Sequence, residues 1–229
     1  MTKGIFVTAT GTDVGKTYVS ALIVKKMRDL GYNCGYFKPA LSGAYEKDGE
    51  LIPGDCEYVL KTSGIEGNPS DFASYIFKTA VSPHLAAGIE NNPIKLSKIK
   101  QDFEKIKSKY DYVVVEGAGG IICPFNLNND EKLILPDVIK GLNLDVIIVA
   151  STTLGSINSA VLTSEYIKNC GICAKGFILN NYNKNDFMEK DNKEQIENIS
   201  GLKVLADVKK DDKDLQIAED ILLSLFKEI

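Results

Sequence analysis

The segment Gly4–Leu22, G-I-F-V-T-A-T-G-T-D-V-G-K-T-Y-V-S-A-L, constrains this chain more than any other stretch. Ile5–Thr8 are apolar or β-branched and read as a short buried strand. Ala9–Gly15 form a flexible turn. Lys16-Thr17 then open a segment with Val19, Leu22, Ile23, Lys26 and Leu30 at helical spacing. Strand, glycine turn, Gly-Lys-Thr and helix is the layout of a phosphate-binding loop. A helix N-terminus carries unpaired N–H groups and partial positive charge, so an anion is stabilised there. Lys16 adds a point charge for the outer phosphates, and the Thr17 hydroxyl is placed to ligate Mg²⁺. The strict pattern G-x-x-x-x-G-K-[ST] asks for glycine at position 10. This chain has Thr10 there and places its glycine at position 11.

The rest of the chain suits a nucleotide-binding α/β domain. Its 229 residues are 44% hydrophobic and 25% charged, enough for a real core in one domain, 1–229. The net charge of −4 argues against a nucleic-acid partner, which calls for a basic face. No apolar run approaches the roughly 18 residues of a membrane span. The N-terminus enters a strand at once, so no signal peptide is expected and the cytoplasm is the expected compartment. Five scattered cysteines do not suggest a disulfide framework, and Cys170-x-x-Cys173 has no second pair to complete a zinc site.

The order of elements predicts the architecture. The first helix should stop at Leu30, with Gly31 beyond it. A strand follows at Cys34–Phe37, then a functional loop over Ala40–Pro53 and a short helix over Asp55–Lys61. Residues 62–92 carry little periodicity, although Ser82-Pro83-His84 should start a helix through Ala87. Leu96, Ile99, Phe103, Ile106 and Tyr110 mark an amphipathic helix. Asp111–Val115 is a strand, Pro124–Asp130 a long loop and Pro136–Leu142 a helix. Val146–Ala150 is a strand and Ser156–Asn169 a helix, with Ile157, Ala160, Val161, Ser164 and Ile167 inward. Ala174–Leu179 is a strand, residues 182–198 a solvated loop leading into a polar helix, and Lys203–Ala206 a last strand. Leu215, Ala218, Ile221, Leu222, Leu225, Phe226 and Ile229 mark a C-terminal helix. Such alternation predicts a doubly wound, mostly parallel sheet covered by helices on both faces. Ligands of such folds bind beyond the carboxyl ends of the strands. That rule selects the phosphate loop, Lys38, Glu116, Thr152–Asn158 and Asn180.

Glu116 closes the apolar strand Tyr112–Val115 and is the second Mg²⁺ anchor, with Asp55 the candidate third ligand; the plain alternatives are a strand-end charge and a helix cap. Gly117, Ala118, Gly119 and Gly120 leave the backbone open to phosphates or substrate. Lys38 supplies a second cation, so that Lys16, Lys38 and Mg²⁺ would stabilise a phosphoryl group in transfer.

Four blocks together resemble the dethiobiotin synthetase family. They are A-T-G-T-D-V-G-K-T from Ala9 to Thr17, K-P-A-L-S-G from Lys38 to Gly43, V-E-G-A-G-G from Val115 to Gly120, and L-G-S-I-N from Leu154 to Asn158; Ser82-Pro83-His84 also matches. The resemblance covers Gly4 to about Asn181. It implies an ATP-dependent ligase that makes a cyclic urea from 7,8-diaminononanoate, CO₂ (or bicarbonate) and ATP. It implies that Asp13, Val14, Gly15, Lys16, Thr17 and Tyr18 cradle ATP phosphates, and that Thr17, Asp55 and Glu116 hold Mg²⁺. Lys16 and Lys38 would stabilise the carbamate and the moving phosphoryl group. Thr12 and Ser42 would contact substrate and Asn180 the adenine base. Gly155, Ile157 and Asn158 would reach the substrate carboxylate across a homodimer interface. Family members often carry a proline after the last strand; here the residues are Val208-Lys209-Lys210-Asp211, so no nucleotide preference is carried over. No role is assigned to Tyr182–Asn192.

Two other readings stand beside this one. A partitioning or regulatory ATPase of the deviant phosphate-loop class would have a lysine where this chain has Gly11. A synthetase of the cobyrinate amidotransferase type would need a downstream glutaminase domain, for which no room is expected before Ile229.

Overall fold

The computed structural model describes residues 1–128 and 131–229. Its frame is a seven-stranded sheet. The strands are β1 (Lys3–Ala9), β2 (Cys34–Phe37), β3 (Tyr112–Glu116), β4 (Val146–Ala150), β5 (Ala174–Asn180), β6 (Val204–Val208) and β7 (Lys227–Glu228). Their order is β6-β5-β4-β1-β3-β2, all parallel, with β7 pairing antiparallel to the start of β1. Ile5, Phe6, Val7, Val113, Val114, Val115 and all five residues of β4 are fully buried, as strands covered on both faces must be. The fold is the expected doubly wound α/β class.

The helices are α1 (Lys16–Asp29), α2 (Gly54–Ser63), α3 (Pro83–Ile89), α4 (Leu96–Lys107), α5 (Leu135–Gly141), α6 (Ser156–Asn169), α7 (Phe187–Ser200) and α8 (Glu219–Leu225). Helices α1 and α2 pack on one another beside β1, β2 and β3, and α7 packs on α6. Helix α4 buries Ile99, Phe103 and Ile106 as its pattern predicts, and the Phe103 ring meets Phe37 of β2 at 5.3 Å, but the helix ends at Lys107 and Tyr110 of the expected stripe lies beyond it. Each such side chain contributes about 1.5–3 kcal/mol of burial. Among the described residues, no helix is long and apolar enough to cross a membrane.

Four expectations need correction. The Ala40–Pro53 segment is not a plain loop. Leu41–Ser42 pairs with Ile76–Phe77, and Tyr45–Lys47 folds back on Glu50–Ile52. Asp48 and Gly49 both have positive φ, which suits the tight two-residue turn of a hairpin. Pro124–Asn128 is a strand paired with Glu131–Ile134, although proline and asparagine made it read as loop; the expected loop also ran over residues 129 and 130, which lie outside the described residues. On α6, Ala160, Ser164 and Ile167 are buried as expected, but Ile157 and Val161 are only half-buried. The C-terminal helix is short. Leu215 lies before it, and Phe226–Ile229 turn back along β1, because strand pairing at Lys3 and Gly4 outcompetes another helical turn.

Candidate active site

Six strand ends lie along the carboxyl edge of the sheet, and three of them feed one cleft. The phosphate loop follows β1, Lys38 follows β2, and Glu116 ends β3. The register places Phe37 opposite Val115, so the chains leave the sheet with Lys38 beside Glu116. A cleft of about 680 Å³ opens there, lined among others by Asp13, Lys16, Lys38, Asp55, Glu116 and Gly119. A second chamber of about 690 Å³ adjoins it. The two share Thr12, Asp13, Ser42, Ala118 and Gly119.

The loop explains its own departure from the strict motif. Asp13 and Gly15 take positive φ, 59° and 102°, whereas Thr10 and Gly11 do not. Threonine is therefore tolerated at position 10. Gly15 is the position that must be glycine, because a Cβ there would stand 2.0 Å from Asn180 Nδ2. Helix α1 begins without a side-chain cap and without an acidic residue in its first turn. Instead Lys16 sits there, only 8% exposed, donating to the Gly11 carbonyl at 3.1 Å. A cation at a helix N-terminus opposes the dipole. Burial and the nearby Lys38 lower the Lys16 pKa, and Glu116 and Asp55 only partly offset this. Such a local conflict is resolved by a bound anion.

Lys38 is buried between two carboxylates. Its Nζ is 2.6 Å from Glu116 Oε1 and 2.6 Å from Asp55 Oδ2, and it donates to the Gly117 carbonyl at 3.2 Å. Burial alone would pull this ammonium down, but Glu116 and Asp55 outweigh it and hold the pKa above its usual value. Asp55 is held low: burial pushes it up, and Lys38, Thr17 and Lys16 prevail. Thr17 Oγ1 donates to Glu116 Oε1 at 2.8 Å, and the fully buried Tyr36 hydroxyl donates to Glu116 Oε2 at 2.7 Å. Thr17, Asp55 and Glu116 thus gather hard oxygen donors at the start of α1, a donor set that fits Mg²⁺.

Other expected residues lie elsewhere. Gly117 does not open onto the cleft. A Cβ there would meet Phe6 at 2.9 Å and Leu135 at 3.1 Å, so this glycine serves close packing and reaches the site only by its carbonyl. Asn180 is buried behind the phosphate loop, where its Nδ2 donates to the Val14 carbonyl at 2.9 Å; its Oδ1 has no partner. Gly155, Ile157 and Asn158 follow β4 at the start of α6 and line neither chamber. Their loop is braced by α7. Asn192 Nδ2 donates to the Thr152 carbonyl at 2.7 Å, and Glu189 accepts from the Thr152 hydroxyl and from the Asn183 N–H. Sequence reasoning missed Tyr36, Glu189 and Tyr58, the last on the cleft wall. Only Tyr36 had a local signal: it lies two residues before Lys38 and shares its face of the strand.

Known proteins share this sequence and fold. A family model described as an AAA domain matches residues 3–215. The chain is 49% identical over its full length, and the full length of the relative, to an ATP-dependent dethiobiotin synthetase BioD from Clostridium botulinum strain 657. It is 48% identical, again over both full lengths, to the enzyme of that name from the Langeland strain. Among solved structures, a ParA family ATPase from Chlorobium tepidum TLS superposes with a TM-score of 0.55 at 16% identity, covering 98% of this chain and 90% of that one. The septum site-determining protein MinD from Pyrococcus horikoshii OT3, complexed with Mg-ADP, gives 0.55 at 18%, covering 92% and 82%. At that identity these two share the fold alone. Full-length identity near one half is a different matter, and on that ground the chain belongs to the family of ATP-dependent dethiobiotin synthetases.

Proposed function

We propose that this chain closes the ureido ring of dethiobiotin from 7,8-diaminononanoate, CO₂ and ATP. One amine captures CO₂ as a carbamate. A carbamate oxygen takes the γ-phosphoryl group and ADP leaves. The second amine attacks the carbamoyl carbon, the C–O bond breaks, and phosphate departs as the ring closes. No side-chain nucleophile is needed; the protein positions reactants and stabilises charge.

The observation that carries this reading is that Lys16 and Lys38 share one cleft in a chain of this family. The α1 N-terminus, with Asp13–Tyr18 and Lys16, would hold the ATP phosphates, with Ala118 and Gly119 also lining the cleft. Lys38 would stabilise the carbamate and the phosphoryl group moving onto it. Thr12 and Ser42, on the wall common to both chambers, would contact the diamine. Thr17, Asp55 and Glu116 would hold Mg²⁺, which supplies charge neutralisation on the phosphates when bound. Asn180, which holds the Val14 carbonyl from behind the loop, would lie next to the base. Gly155, Ile157 and Asn158, which line neither chamber, would serve the substrate carboxylate of a partner in a homodimer. The enzyme would act in the cytoplasm on small-molecule substrates, with no nucleic-acid or membrane partner. Purified protein given the diamine, bicarbonate, Mg²⁺ and ATP should form dethiobiotin and ADP in equal amounts. ATP hydrolysis that ignores the diamine would instead indicate a switch ATPase.

A further inference from the structure

The two oxygens of Glu116 have been given separate tasks. Oε1 faces the cleft, where the Thr17 hydroxyl and the Lys38 ammonium meet it at 2.8 and 2.6 Å. Oε2 faces the interior, where the Tyr36 hydroxyl donates to it at 2.7 Å. Both residues are 0% exposed, so neither can exchange its partner for water.

We propose that Tyr36 is a positioning residue for the cation site, fixing the Glu116 carboxylate so that Oε1 points to the cleft. This rests on reading Thr17, Asp55 and Glu116 as the ligands of Mg²⁺. The physical reason is general. A ligating carboxylate is held by an outer hydrogen bond, and loss of that bond typically costs about 10–100-fold in metal affinity. Tyr36 is placed for this by strand geometry. It lies on the same face of β2 as Lys38 and one strand from Glu116. Without the phenol, Glu116 could turn, and both oxygens would compete for Lys38 and Thr17.

The test uses Mn²⁺ as the probe, in the presence of ADP, with free Mn²⁺ followed by electron paramagnetic resonance. Tyr36→Phe keeps the ring and its packing. Its Mn²⁺ dissociation constant should rise about 10-fold or more above wild type. Its affinity for ADP in metal-free buffer should be unchanged. Replacement of Tyr36 by 4-aminophenylalanine, which restores a donor at that place, should bring the Mn²⁺ constant to within about threefold of wild type. Equal Mn²⁺ affinity in wild type and Tyr36→Phe overturns the proposal. So does a parallel loss of metal-free ADP affinity, which would mark a merely structural residue. Should Tyr36→Phe not fold, the amino variant decides alone: near-wild-type Mn²⁺ binding supports the proposal, and its loss overturns it. A wild-type protein that binds ADP but no Mn²⁺ removes the ligand reading itself, and the proposal with it.

Discussion

Replacing Lys38 with methionine removes one charge and keeps most of the side-chain volume. In the folded protein Lys38 is 3% exposed and lies 2.6 Å from both Glu116 Oε1 and Asp55 Oδ2. Asp55 can turn toward water, because its side chain is 38% exposed. Glu116 is 0% exposed and cannot. Breaking a buried pair from one side costs about 3–5 kcal/mol. In a chain of this size a loss of about 3–5 kcal/mol is a fall in Tm of about 6–20 °C. The kinetic effect is separate. Loss of a preorganised cation facing developing charge should lower kcat by about 10²–10³, or about 2.7–4 kcal/mol. Dethiobiotin formation is measured well below the variant's Tm, with nucleotide affinity measured alongside. A variant that keeps kcat within about threefold, while its Tm falls as stated, would show that Lys38 only neutralises the carboxylates.

Further outcomes follow from other parts of the site. Gly15→Ala should abolish nucleotide binding and destabilise the fold, since its φ is 102° and its Cβ would strike Asn180; adding Asn180→Ala should recover part of the Tm but not the roughly 1–3 kcal/mol of backbone strain. Cys123 borders the second chamber, and burial pushes its thiol up to about 11. Only the thiolate alkylates, so iodoacetamide at pH 7.5 should modify the exposed Cys173 first. Cys123 labelling should rise about tenfold per pH unit toward pH 11, and rapid labelling of Cys123 at neutral pH would contradict this. Glu189→Ala removes the acceptor of the Thr152 hydroxyl and the Asn183 N–H. Loss of such a charged hydrogen bond, about 1.5–3 kcal/mol, should raise KM for the diamine about tenfold or more through the loosened 152–158 loop; an equal rise in KM for ATP would contradict that assignment.

What the sequence disclosed and what it withheld have a common cause. The phosphate loop, Lys38 and Glu116 were legible because each is a local pattern at a strand end, and one rule about parallel sheets gathers strand ends. Asp48-Gly49 was legible in principle, as a hairpin turn between Tyr45 and Ile52, but it lay inside a polar stretch that also read as loop. Roles that depend on distant partners were hidden. Tyr36 and Glu116 are 80 positions apart, and Glu189 lies 37 positions from Thr152. Gly117 looked like an opening because a glycine's neighbours cannot be read from its own position; Phe6 and Leu135 supply the actual reason. Phe226 and Ile229 continued a helical period, yet pairing with β1 governs their conformation.

The central claim is that this cleft drives phosphate onto captured CO₂, and oxygen isotopes test it directly. With ¹⁸O-labelled bicarbonate and unlabelled ATP and water, in a single turnover fast enough to precede exchange with solvent, one labelled oxygen should leave on inorganic phosphate and one should remain in the ureido carbonyl. Phosphate released with ADP whose fourth oxygen, beside the three from ATP, comes from water and not from bicarbonate would contradict the account.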